Sequence, residues 1–157
     1  MQKQLGRMFA TSMMIVFGMT ANSPSARAQS VDNGCSTRTI RGSYGFSIEG
    51  SILSPIPGAP VPPGTTLPVR ALALIHFDGK GSLTVMDYFV INGQPQGTDW
   101  SPGTGTYTVN SNCTGTMMIT KPGGPSTQSN IVVVRGGKEI RTVLVSDALT
   151  SIGTRVE

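Results

Sequence analysis

Charge is scarce in this chain: Asp, Glu, Lys and Arg make up 13% of it, too few for a broad polyanion-gripping face. Histidine is scarcer still. His76 stands alone, which excludes a two-histidine metal site and argues against a Cys/His zinc centre. Cysteine occurs twice, at Cys35 and Cys113, so only one intrachain pairing exists. No apolar run reaches the roughly 20 residues that a membrane-spanning helix needs. Past the first 28 residues, no ten-residue stretch carries helical apolar spacing. There is no G-x-S-x-G elbow, H-E-x-x-H, P-loop or G-x-G-x-x-G. Asp78-Gly79-Lys80-Gly81 lacks the further acids of a calcium loop. No metal or other cofactor is expected.

What is present begins with an address. Lys3 and Arg7 precede the uncharged, mostly apolar Met8–Met19, and a small polar stretch ends in Ala26-Arg27-Ala28. This order predicts a secretory signal peptide over 1–28, cut after Ala28. Removing it takes three of the 12 basic residues and none of the 8 acids, so the net charge falls from +4 to +1 (9 − 8). No basic run remains, and nucleic acid is not an expected partner. The remaining 29–157 has the length of a single domain. Its destination is the periplasm or the outside of the cell, an oxidising space in which Cys35 and Cys113 are expected to pair.

That domain reads as short strands between turns. Ser43–Leu53 alternates, with Tyr44, Phe46 and Ile48 on one side and Ser43, Ser47, Glu49 and Ser51 on the other. Val69–Phe77 is apolar on both faces, with Arg70 and His76 on the side of Leu72 and Leu74. Asp78–Gly81 makes a hairpin turn into Ser82–Ile91, where Asp87 shares a face with Leu83, Val85, Phe89 and Ile91. Strand-like segments follow at 104–110, 113–120, 130–135, 138–146 and 151–156. About eight short strands joined mainly by hairpins predict an all-β domain, a small antiparallel barrel, with a β-sandwich as the alternative. Ser54–Pro68 holds six prolines and reads as a stiff connection or a flap over one barrel mouth.

Three segments carry a resemblance. They are Gly42-Ser43-Tyr44-Gly45-Phe46, Phe77–Thr84 (FDGKGSLT), and Gly103–Asn110 (GTGTYTVN) running into Cys113-Thr114-Gly115-Thr116. Together they resemble a group of small exported bacterial proteins. The order of elements is also similar to the eight-stranded, calycin-like barrel of allene oxide cyclases and dirigent proteins. That resemblance implies a barrel holding a hydrophobic small molecule, in some members guiding its cyclisation by shape. No catalytic residue of those families maps onto a position here.

Candidate chemistry comes from few groups. Asp87 needs a partner if its face is the inner one. His76 and Glu49 are the other acid–base candidates. Tyr88, Trp100, Phe89 and Arg70 are candidate ligand contacts, the aromatics by stacking and Arg70 by holding a carboxylate. Three functions stay open: a container for a small apolar or amphipathic molecule, a cofactor-free cyclase or isomerase, and a surface interaction protein with a filled barrel. A hollow interior lined by Asp87 or His76 would favour the first two.

Overall fold

A computed structural model describes residues 34–53, 62 and 64–157. The expected signal peptide lies outside the described residues, as does the proline-rich stretch apart from 62 and 64–68. Nine strands follow in order: β1 Gly42–Ile52, β2 Leu67–Phe77, β3 Ser82–Ile91, β4 Gln94–Pro95, β5 Ser101–Val109, β6 Thr114–Thr120, β7 Ser126–Val134, β8 Glu139–Leu144 and β9 Ala148–Arg155. Single 3₁₀ turns lie at Thr37–Ile40 and Arg135–Gly137.

Every pairing is antiparallel, and β9 returns to β1 from Tyr44↔Arg155 to Ser51↔Ala148. The result is a closed eight-stranded barrel, β1-β2-β3-β5-β6-β7-β8-β9, with β4 paired outside the ring against the end of β3. One closed sheet replaces the sandwich alternative and leaves no free edge in the ring. Strands β5, β7 and β9 start three or four residues earlier than the hydrophobic pattern indicates. Segments such as Ser126–Asn130 are polar, yet their backbones complete the ladder, with Ser129 opposite Met117. A strand needs backbone partners more than it needs apolar side chains.

One end of the barrel is plugged. Tyr44, Phe77 and Tyr107 meet edge to face, with ring centroids 5.5 and 4.9 Å apart. The segment before β1 lies across this end, and its Ile40 is fully buried. The Tyr44 hydroxyl donates to the Gly137 carbonyl. The Arg155 guanidinium donates to Tyr44 Oη at 2.6 Å and lies 4.9 Å from that ring's centroid. The Tyr107 hydroxyl donates to the Thr37 carbonyl at 3.2 Å and accepts from Gly79 N at 2.9 Å. Burial raises both phenols above their ordinary pKa; Arg155 works against this at Tyr44, and the Gly79 N–H does so at Tyr107. Cys35 and Cys113 stand at disulfide distance, Cα to Cα 4.9 Å, and tie this segment to the β5–β6 turn.

The opposite end is different because the inward side chains shrink. Climbing β2 from the plug, they run Phe77, Ile75, Ala73; climbing β5 they run Tyr107, Gly105, Gly103. On β9 the series is Arg155, Gly153, Ser151, and the Phe46 ring lies over Gly153, where a Cβ would fall 2.4 Å from Phe46 Cζ. An eight-stranded barrel is wide enough either to be filled or to hold one small ligand. Large residues below and small ones above fill one half of this barrel and open the other.

Candidate binding cavity

The open half is a cavity of about 670 Å³. Its wall is mostly aliphatic and aromatic: Phe46, Ile48, Ile75, Val85, Phe89 and Ile119 all face it. Among the described residues, three connections lie at its rim: 92–100, 121–125 and 145–147. All three contribute lining residues, among them Asp99, Lys121 and Asp147. Loops at one rim over a rigid wall are where binding groups usually sit.

Two bonded pairs of polar side chains stand on different walls of the cavity, and Thr127 and Ser129 of β7 also line it. On one wall Lys121 Nζ meets Asp87 Oδ2 at 2.6 Å. The Asp87 side chain is 7% exposed and that of Lys121 25%, so the pair is largely withdrawn from water. Lys121 Nζ also donates to the Ser101 carbonyl at 2.9 Å. On the far wall, between β8 and β9, the Thr142 and Ser151 hydroxyls bond each other at 2.7 Å. Among the described residues, every buried side-chain nitrogen or oxygen has a hydrogen-bond partner.

Lys121 reaches Asp87 because of a missing side chain. Asp87 is on β3 and Lys121 just past β6, with β5 between them. Residue 103 of β5 lies on the line of approach, and it is glycine. A Cβ there would sit 2.9 Å from Val85 Cγ1 and 3.1 Å from Lys121 Cδ. The lysine stem therefore crosses β5 over bare backbone.

The expected site residues separate cleanly. Asp87 and Phe89 face the cavity, and Tyr88 lies at its rim with its ring 6.1 Å from that of Trp100. Trp100 itself is 47% exposed. His76 is on the outer wall, its Nδ1 3.1 Å from Ser43 Oγ. Glu49 and Arg70 are outside as well, exposed and 4.0 Å from each other across β1 and β2. Chemistry inside the barrel thus has Asp87 but neither His76 nor Glu49, and Arg70 does not reach a ligand there. Asp78 is a turn residue: the backbone N–H groups of Lys80, Ser82 and Gly81 hold its carboxyl below the usual range.

Sequence reasoning missed Lys121, Ser129, Thr142 and Ser151. Lys121 stands in the turn cluster Lys121–Pro125, yet it continues the inward series Met117, Ile119. Ser129 likewise precedes the inward Ile131 and Val133. Extending each period-two series by one step would have found both. No group of three or more His, Cys, Asp or Glu placed to hold a metal occurs among the described residues. No protein-family model matches the chain, and neither does any curated protein or solved structure. The reading of the cavity rests on its geometry.

Proposed function

We propose that this barrel is an exported container for one small amphipathic molecule. The observation that carries the reading is a cavity of about 670 Å³, apolar over most of its wall and carrying the largely buried ion pair Asp87–Lys121. Pockets of roughly 300–1,000 Å³ with apolar walls and few polar groups are typical of small-molecule sites. The plug of Tyr44, Phe77 and Tyr107 supports it by giving the cavity a rigid floor. The hollow interior weighs against an interaction protein built on a filled barrel. Export is supported by the cysteine pair at disulfide distance, and among the described residues no helix is long and apolar enough to cross a membrane.

Native mass spectrometry of the purified mature protein tests the reading directly. A retained small molecule is expected, lost when Ala73→Phe fills the cavity. If the protein carries no molecule and takes up none from an extract of small molecules, the container reading fails.

A cofactor-free cyclase or isomerase is the second reading, favoured by Asp87 and Lys121 standing together as the charged pair on an apolar wall. Once a bound molecule is identified, its conversion by wild type but not by Asp87→Asn would establish this reading. Unchanged turnover in the variant would refute it.

A further inference from the structure

The polar inventory of the cavity selects among amphipathic molecules. Resting on the container reading, we infer that the ligand carries an uncharged hydroxyl head rather than a carboxylate or an amine. Lys121 Nζ has three N–H bonds. Asp87 Oδ2 and the Ser101 carbonyl take two of them, leaving one to donate into the cavity. Asp87 holds Lys121 through Oδ2, so its second carboxylate oxygen is the acceptor left for a ligand. A hydroxyl both accepts and donates, and it can use both positions at once without disturbing the pair.

Charged heads fare worse for separate reasons. A carboxylate must compete with Asp87 for Lys121 while standing beside the Asp87 carboxylate. It must also pass the exposed Asp99 at the rim. An ammonium gains from that rim, but Asp99 is exposed and its field is screened by salt. At the wall the ammonium meets an Asp87 already satisfied by Lys121, and displacing Lys121 leaves a second cation without its partner. The order expected is alcohol, then amine, then carboxylate.

The test uses three probes with the same ten-carbon tail: 1-decanol, decylamine and decanoate. Each displaces an environment-sensitive dye from the mature protein at neutral pH. Decanol should bind about tenfold more tightly than decanoate, the difference expected from one hydrogen bond to a charged group. In Asp87→Leu/Lys121→Met decanol itself should bind about tenfold more weakly than it binds wild type, while the tail still binds. If decylamine or decanoate binds more tightly than decanol to wild type, the inference is overturned and the container reading stands. An unchanged decanol affinity in the double variant overturns it too. If none of the three binds, the container reading fails, and this inference fails with it.

Discussion

Replacing Lys121 with methionine removes one member of the Asp87–Lys121 ion pair in the cavity wall and leaves the other in place. Asp87 has a side chain 7% exposed, and Lys121 Nζ at 2.6 Å is the cation beside it. Breaking a buried pair from one side typically costs 3–5 kcal/mol, because the remaining charge is desolvated without compensation. Here the cavity opens at its rim and Lys121 is a quarter exposed, so about 3 kcal/mol is the appropriate value. Asp87→Leu should cost less, about 1 kcal/mol, because Lys121 keeps the Ser101 carbonyl and can turn toward water. Asp87→Leu/Lys121→Met replaces the pair with apolar groups on an apolar wall and should fall within about 1 kcal/mol of wild type. The single changes would sum to about 4 kcal/mol, which implies a coupling of about 3 kcal/mol. Urea unfolding followed by far-ultraviolet circular dichroism measures all four proteins, provided the slopes agree. A Lys121→Met protein within 0.5 kcal/mol of wild type would refute the argument that the pair is desolvated. A double variant as unstable as the sum would refute the coupling.

Three further outcomes follow from other parts of the barrel. Gly103→Ala should lower stability by about 1–2 kcal/mol, since the new Cβ meets Val85 Cγ1 at 2.9 Å, and it should shift Lys121 off Asp87; unfolding together with the dye assay detects both effects. Cys35→Ser/Cys113→Ser should lose on the order of 4 kcal/mol, because the pair closes a loop with a sequence separation of 78; thermal unfolding with and without reductant checks it. The raised phenols of Tyr44 and Tyr107 give a pH dependence of known sign. Their contribution is complete below about pH 10, the unfolded value, and is lost as pH rises through the higher folded values. Urea midpoints should therefore fall from pH 9.5 to about 11, and Tyr44→Phe should flatten that slope whatever it does to the midpoint itself.

Much of the fold was legible because strand periodicity is local. Alternation in Ser43–Leu53 and Ser82–Ile91 marks each strand and groups Asp87 with Leu83, Val85, Phe89 and Ile91 before any contact is known. The turn residues at 78–81 mark a hairpin, and two cysteines admit one pairing. Alternation does not say which face is inside. On β2 the larger side chains Leu72 and Leu74 are 56% and 47% exposed, while Ala71, Ala73 and Ile75 are buried. Hydrophobicity alone points the leucines inward and carries His76 and Arg70 in with them.

Sequence by itself determined an antiparallel all-β chain with a meander of strands and a single cysteine pair, since strand alternation and turns depend on neighbours along the chain and two cysteines allow one pairing. Tertiary structure decided the rest. Closure of β9 on β1 fixed which face of every strand looks inward, and one step of register would have exchanged the faces. The same closure aligned Phe77, Tyr44 and Tyr107 at one end and Ala73, Gly103 and Ser151 toward the other, which made the barrel half full and half hollow. It also brought Lys121 over Gly103 to Asp87, a contact between residues 34 positions apart (121 − 87) that spans β5. Such a contact depends on the width and stagger of a closed barrel, and no local pattern encodes either.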